Sequence, residues 1–154
     1  MKCVGPILLI SVLTVAGCAK EKQAVPSLPA PNTWVLDGKT FTKAASKWVQ
    51  QDTLNVLYFG VNYNYTYMLY LTFLRKPTGS KAYKIVYSPK SDDEVSIQEW
   101  QFNQGYGGSQ DNTNQYLQVT EANGVFTYSV ISFPIEYYSF VLESTGTCAI
   151  NVTE

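Results

Sequence analysis

The stretch QYLQVTEANGVFTYSVI, residues 115–131, decides the fold class. At its centre Asn123-Gly124 supplies two consecutive residues that tolerate positive φ, as a two-residue type I′ hairpin demands. Counting outward from that turn sets Leu117 opposite Val130 and Val119 opposite Tyr128, while Gln118 meets Ser129 and Thr120 meets Thr127. A single register therefore makes one face apolar and the other polar, the pattern of an antiparallel pair buried on one side.

The same logic applies to TWVLDGKTF, residues 33–41. Asp37-Gly38 is a second type I′ turn, and pairing across it puts Trp34 opposite Phe41 and Val35 opposite Thr40, with Trp34 and Phe41 on the core face. Further strands are expected near 46–50, 54–60, 65–74, 82–87, 94–102, 138–143 and 147–152. Breakers separate them at Asp52-Thr53, Pro77–Ser80, Pro89–Asp93, Pro134 and Thr145-Gly146. The apolar run Leu54–Leu74 would reach roughly 70 Å as one strand, so it must fold back, and the turn chemistry of residues 60–64 supplies the reversal. The segment NQGYGGSQDNTN, residues 103–114, reads as a long loop. No window of ten or more residues after Cys18 carries a helical stripe; KAASKWVQQ, residues 43–51, suits one helical turn or a strand. The expected fold is an antiparallel β-sandwich of about nine or ten short strands, with a closed β-barrel as the alternative.

The chain start is organised differently. Lys2 precedes an apolar run from Val4 to Ala16, too short to span a bilayer as a helix but suited to the core of a signal peptide. Val15-Ala16-Gly17-Cys18 follows. Residues 19–31 contain Pro26, Pro29 and Pro31, mixed charge and no apolar period, which reads as an extended tether reaching roughly 40 Å at ~3.1 Å per residue. The organisation is then an apolar leader over 1–17, Cys18 with a flexible tether over 18–31, and a single β domain over 32–154.

Composition narrows the function. The chain carries 11 basic and 12 acidic residues, so no basic field exists to attract nucleic acid. There is no histidine, which removes His-based triads, His general bases and His-ligated metals. Cys3, Cys18 and Cys148 are spaced for neither a zinc site nor a disulfide framework. Asp92-Asp93-Glu94 lacks the spaced oxygen ligands of a calcium loop and reads as a solvated turn. No cofactor is implied.

Candidate binding residues are aromatic. On the strand 65–74, Tyr65, Tyr67, Leu69, Leu71 and Phe73 share the core-like face. Tyr70 lies on the outer face and Tyr63 at the turn, so these two are free to meet a ligand. In EVSIQEWQF, residues 94–102, Val95 and Ile97 mark the inward face, so Trp100 falls outward with Ser96 and Gln98 unless a bulge flips the register. Trp100 with Tyr106 would make a platform for a sugar face or a protein partner. Glu99, Asp111, Glu136 and Glu143 are available carboxylates, but nothing in the sequence selects a hydrolytic pair among them.

Val15-Ala16-Gly17-Cys18 resembles the bacterial lipobox, which implies cleavage before Cys18, acylation of its sulfur and amine, and a stable membrane anchor. Ordinary secretion with cleavage after Ala19 is the alternative. Ala19 in place of Asp resembles the outer-membrane sorting pattern. Asp52-Thr53-Leu54 resembles an O-glycosylation acceptor of Bacteroidota. The hairpin WVLDGKTF, the turn-to-strand PTGSKAYKI and the hairpin VTEANGVF together resemble the small β-sandwich lipoproteins common in Bacteroidota. The expectation is a non-catalytic, lipid-anchored envelope protein of the outer membrane that binds a glycan or other extracellular ligand. The alternatives are an accessory subunit of an outer-membrane complex and a hydrolase.

Overall fold

The computed structural model describes residues 27–61, 67–101, 105–109, 114–138 and 143–154. Among them every regular element is a strand: β1 (Thr33–Leu36), β2 (Lys39–Thr42), β3 (Ala45–Gln51), β4 (Leu54–Gly60), β5 (Tyr67–Phe73), β6 (Lys81–Ile85), β7 (Glu94–Gln101), β8 (Gly105–Ser109), β9 (Tyr116–Ala122), β10 (Val125–Tyr138) and β11 (Glu143–Thr153). Hydrogen bonds link them in the order β2-β1-β11-β10-β9-β6-β7-β5-β4-β3, with β8 bridging β7 and β10. The sheet curls over itself as a β-sandwich around one core, in which Trp34, Phe59, Phe73, Tyr128, Phe133 and Ile135 are almost completely buried. Burying each such side chain contributes about 1.5–3 kcal/mol.

Both sequence-derived hairpins form in the expected register. Trp34 meets Phe41 and Val35 meets Thr40, while Val119 meets Tyr128, Gln118 meets Ser129 and Thr120 meets Thr127. The turns have the required positive φ at Asp37 (45°), Gly38 (78°), Asn123 (55°) and Gly124 (78°). Trp34 then stacks on Phe41 with ring centroids 5.5 Å apart. The residues just ahead of β1 dock on the sheet: the Asn151 side-chain amide donates to Pro29 O at 2.9 Å, and Thr33 Oγ1 donates to Ala30 O.

Four expectations need correction. The described residues form eleven strands, against the about nine or ten expected. One pair is parallel, β6 with β7, joined only at Lys84–Glu94 and Ile85–Val95. A long crossover is unnecessary because the two strands overlap only where β6 ends and β7 begins. Residues 105–109, read as loop, form β8; and neither Pro134 nor Thr145-Gly146 interrupts its strand.

Two neighbours explain the last two points. Thr147 directs both backbone groups toward Asp37, donating its N–H to Asp37 Oδ1 at 2.8 Å and accepting the Asp37 N–H at 3.0 Å. Its partner across β10–β11 is Pro134, so that pair needs no bond between the two strands. The N–H that proline lacks faces the other flank, where β9 pairing has ended at Ser129 and β8 pairing starts at Ile135. Gly105–Ser109 is a strand because β7 and β10 offer ladders on both its sides, so pairing overrides the weak propensity of glycine.

Ser109 closes this junction. Its buried hydroxyl accepts the Ile97 N–H at 3.1 Å and donates to Val86 O at 2.6 Å, tying β7 and β8 to the exit of β6. Replacing Ser109 with Ala leaves a buried N–H and a buried carbonyl without that partner. The expected outcome is a stability loss of about 1–3 kcal/mol in urea unfolding, with Ser109→Thr, which keeps the hydroxyl, losing less.

Candidate functional site

Strand alternation sends Leu57, Phe59, Leu69, Leu71, Val95 and Ile97 into the core and Tyr58, Met68, Tyr70, Gln98 and Trp100 to the other face. Strand register then places the outward residues side by side. Lys47 on β3 meets Tyr58 on β4, Tyr58 meets Tyr70 on β5, Tyr70 meets Gln98 on β7, Gln98 meets Gly108 on β8 and Gly108 meets Glu136 on β10. The adjacent row runs Gly60, Met68, Trp100, Tyr106. Trp100 is thus diagonal to Tyr70 on the same outer face, within reach of large side chains.

Tyr58, Tyr70 and Trp100 are half-buried, and the two tyrosines are held by specific contacts. Tyr58 and Tyr70 meet edge to face with centroids 4.8 Å apart. The Tyr70 hydroxyl lies 3.6 Å from Met68 Sδ. Lys47 Nζ stands 5.6 Å from the centroid of Tyr58, and the Gln51 side-chain amide donates to the Tyr58 hydroxyl. Polar groups of Lys47, Gln51, Gln98 and Glu136 therefore flank an apolar patch built from two tyrosines, a methionine and a tryptophan.

The electrostatics favour the neutral phenol. Burial, then Tyr58 and Glu99, push Tyr70 up to about 12; burial also raises Tyr58. Glu99 is only 1% exposed, on the inner face opposite Leu69 and Gly107. The alternation that puts Val95 and Ile97 inside requires this position for residue 99, a consequence sequence reading missed. The Cys148 thiol is buried and free, raised well above its ordinary value by burial and then by the Glu99 charge.

Of the residues singled out by sequence, Tyr70 and Trp100 are brought together on one face, and Trp100 points outward as the alternation required. Tyr106 is described by its backbone, opposite Trp100. Tyr63, Tyr65, Asp111 and Cys18 lie outside the described residues. Tyr67 packs against the core from the expected face, half-buried beside Phe41 at 5.7 Å. Sequence reading omitted Tyr58 and Met68; the 54–74 hairpin carried the signal, because its register alone sets Tyr58 beside Tyr70.

Among the carboxylates, Glu99 and Glu136 occupy opposite faces of the sheet, since their partners Gly107 and Gly108 are consecutive. They do not flank a common bond. At the 91–94 turn, Asp92 pairs with Arg75, Asp93 with Lys81, and the Glu94 carboxylate accepts the backbone N–H groups of Lys90 and Ser91. Among the described residues no group of three acidic, cysteine or histidine side chains gathers to hold a metal. Thr53 is exposed in the two-residue turn between β3 and β4.

No family model, curated protein or solved structure matches this chain.

Raised tyrosine values have a stability consequence. The folded state holds its proton more tightly than the unfolded one, so the contribution of Tyr70 is complete below its ordinary 10.0 and is lost as pH rises toward about 12. Tyr58, Tyr83 and Tyr128 shift in the same direction. The expected outcome is a urea midpoint that falls steeply above about pH 10, and falls less steeply in Tyr70→Phe.

Proposed function

We propose that this chain is a lipid-anchored protein of the outer membrane whose β-sandwich binds a saccharide on its outer aromatic face and catalyses no reaction. The observation that carries the reading is the placement of Tyr58, Tyr70 and Trp100 on three adjacent strands of one face, edged by Gln98 and Lys47. A sugar ring presents an apolar C–H face and a rim of hydroxyls. Aromatic rings cover the first without competing for hydrogen bonds, and amide, ammonium and carboxylate groups at the edge serve the second. The neighbouring Gly60 and Gly108 add no side chain that would stand above the rings.

The rings are also pre-arranged. Tyr58 and Tyr70 brace each other, and Gln51 fixes the Tyr58 hydroxyl, so little side-chain freedom remains to be lost on binding. The anchor reading rests on Val15-Ala16-Gly17-Cys18 after an apolar run.

Two experiments test the proposal. A glycan screen with the detergent-solubilised full chain should find a saturable ligand, and Trp100→Ala and Tyr70→Ala should each weaken it about tenfold or more with the fold intact by circular dichroism. Undiminished affinity in the double variant removes the outer face from the reading. Separately, Cys18→Ser should move the protein from the membrane fraction to the soluble one; persistent membrane retention refutes the anchor.

A further inference from the structure

A second site lies at the far end of β5. Where that strand leaves the sheet, Arg75, Lys76 and Thr78 face Lys81, Tyr83 and Asp92 across a groove of about 340 Å³, within the range of small-ligand pockets. Its floor is Tyr83, 5% exposed and packed edge-on against Phe73 at 5.1 Å. Its position is fixed from β9, whose Glu121 donates its N–H to Ser80 Oγ at 2.8 Å.

Charge is concentrated here in an otherwise slightly acidic chain. Three cations line the groove against one carboxylate, while the whole chain has a net charge of −1. Two of the three rest on aromatic rings: Lys76 Nζ stands 5.0 Å from the centroid of Trp48 and Lys81 Nζ 5.3 Å from that of Tyr83. Such contacts hold an ammonium in place yet leave its outward hydrogens available to an anion. The competing pairs are weak ones. Arg75 meets Asp92 at 3.4 Å with side chains 82% and 49% exposed, and Lys81 meets Asp93 with 43% and 73%; exposed pairs of this kind are readily exchanged. The guanidinium fork of Arg75 matches an oxyanion, and Thr78, the Tyr83 hydroxyl and Asp92 offer partners for neighbouring hydroxyls.

We propose that this groove binds a sugar carrying an oxyanion, a carboxylate, sulfate or phosphate on a hydroxylated ring, with Lys76, Arg75 and Lys81 on the anion and Asp92 and Thr78 on adjacent hydroxyls. The site is separate from the outer aromatic face and does not depend on it.

The test is calorimetric titration of the detergent-solubilised full chain with trigalacturonate, glucose 6-sulfate, glucose 6-phosphate, neutral galactotriose and inorganic sulfate. At least one charged sugar should bind about tenfold or more tightly than galactotriose, and lose affinity as salt screens the cations; the arm that binds best identifies the oxyanion. The Lys76→Gln/Lys81→Gln variant should lose that preference at an unchanged melting temperature, while Lys39→Gln, beside Phe41 and Tyr67 at the other end of β5, should keep it. Equal binding of charged and neutral sugars, binding of none, inorganic sulfate binding as tightly as the charged sugars, or an unaltered preference in the double variant would each overturn the proposal. The outer-face variants report separately, so loss of the groove leaves that reading standing.

Discussion

One fourteen-residue strand, β10, organises the molecule because it serves three neighbours. It pairs with β11 along nearly its whole length, with β9 over its first part and with β8 over its last. The register slip between Val130 and Phe133 marks the handover between β9 and β8. A bulge there bends the strand and lets one sheet curl into two packed layers. The proline just beyond it is placed where no ladder bond is required. Everything that faces the core from β1, β6 and β7 is positioned through this strand or one of its partners.

Hairpins were legible because turn and alternation are local and agree: Asn123-Gly124 and Asp37-Gly38 allow one register each, and that register buries the apolar face. What escaped was set by distant partners. Gly105–Ser109 has no strand preference of its own and becomes a strand between two waiting edges. Pro134 looks like a breaker until the partner of Thr147 is known. The outer site was half visible, since alternation alone turns Tyr70 and Trp100 outward. Their meeting depends on β5 pairing with β7 across the intervening β6, a neighbour relation that no local pattern carries.

Glu99 shows how the two faces of the sheet are coupled. Burial raises both Tyr70, on the outer side of β5, and Cys148, in the core beside Phe133 and Leu36, and the Glu99 carboxylate on the inner side of β7 adds to each. A charge so deeply placed is costly to bury, and natural cores rarely hold one without a reason in the surrounding network. It lies on the inner face of β7, next in sequence to Trp100 on the outer face.

The pairing of β1 with β11 has a kinetic meaning. Asp37 and Thr147, bonded to each other, are 110 residues apart in the chain, and among the described residues the other neighbour of β1 is the four-residue β2. The N-terminal hairpin can bring Phe41 against Tyr67 earlier, but the ladder along β1 has to wait until the last strand is available. Contacts of such long range close slowly, because chain entropy is lost before they reward it. A polypeptide emerging in order would therefore carry β1 with its β11 side unpaired until its last residues are made.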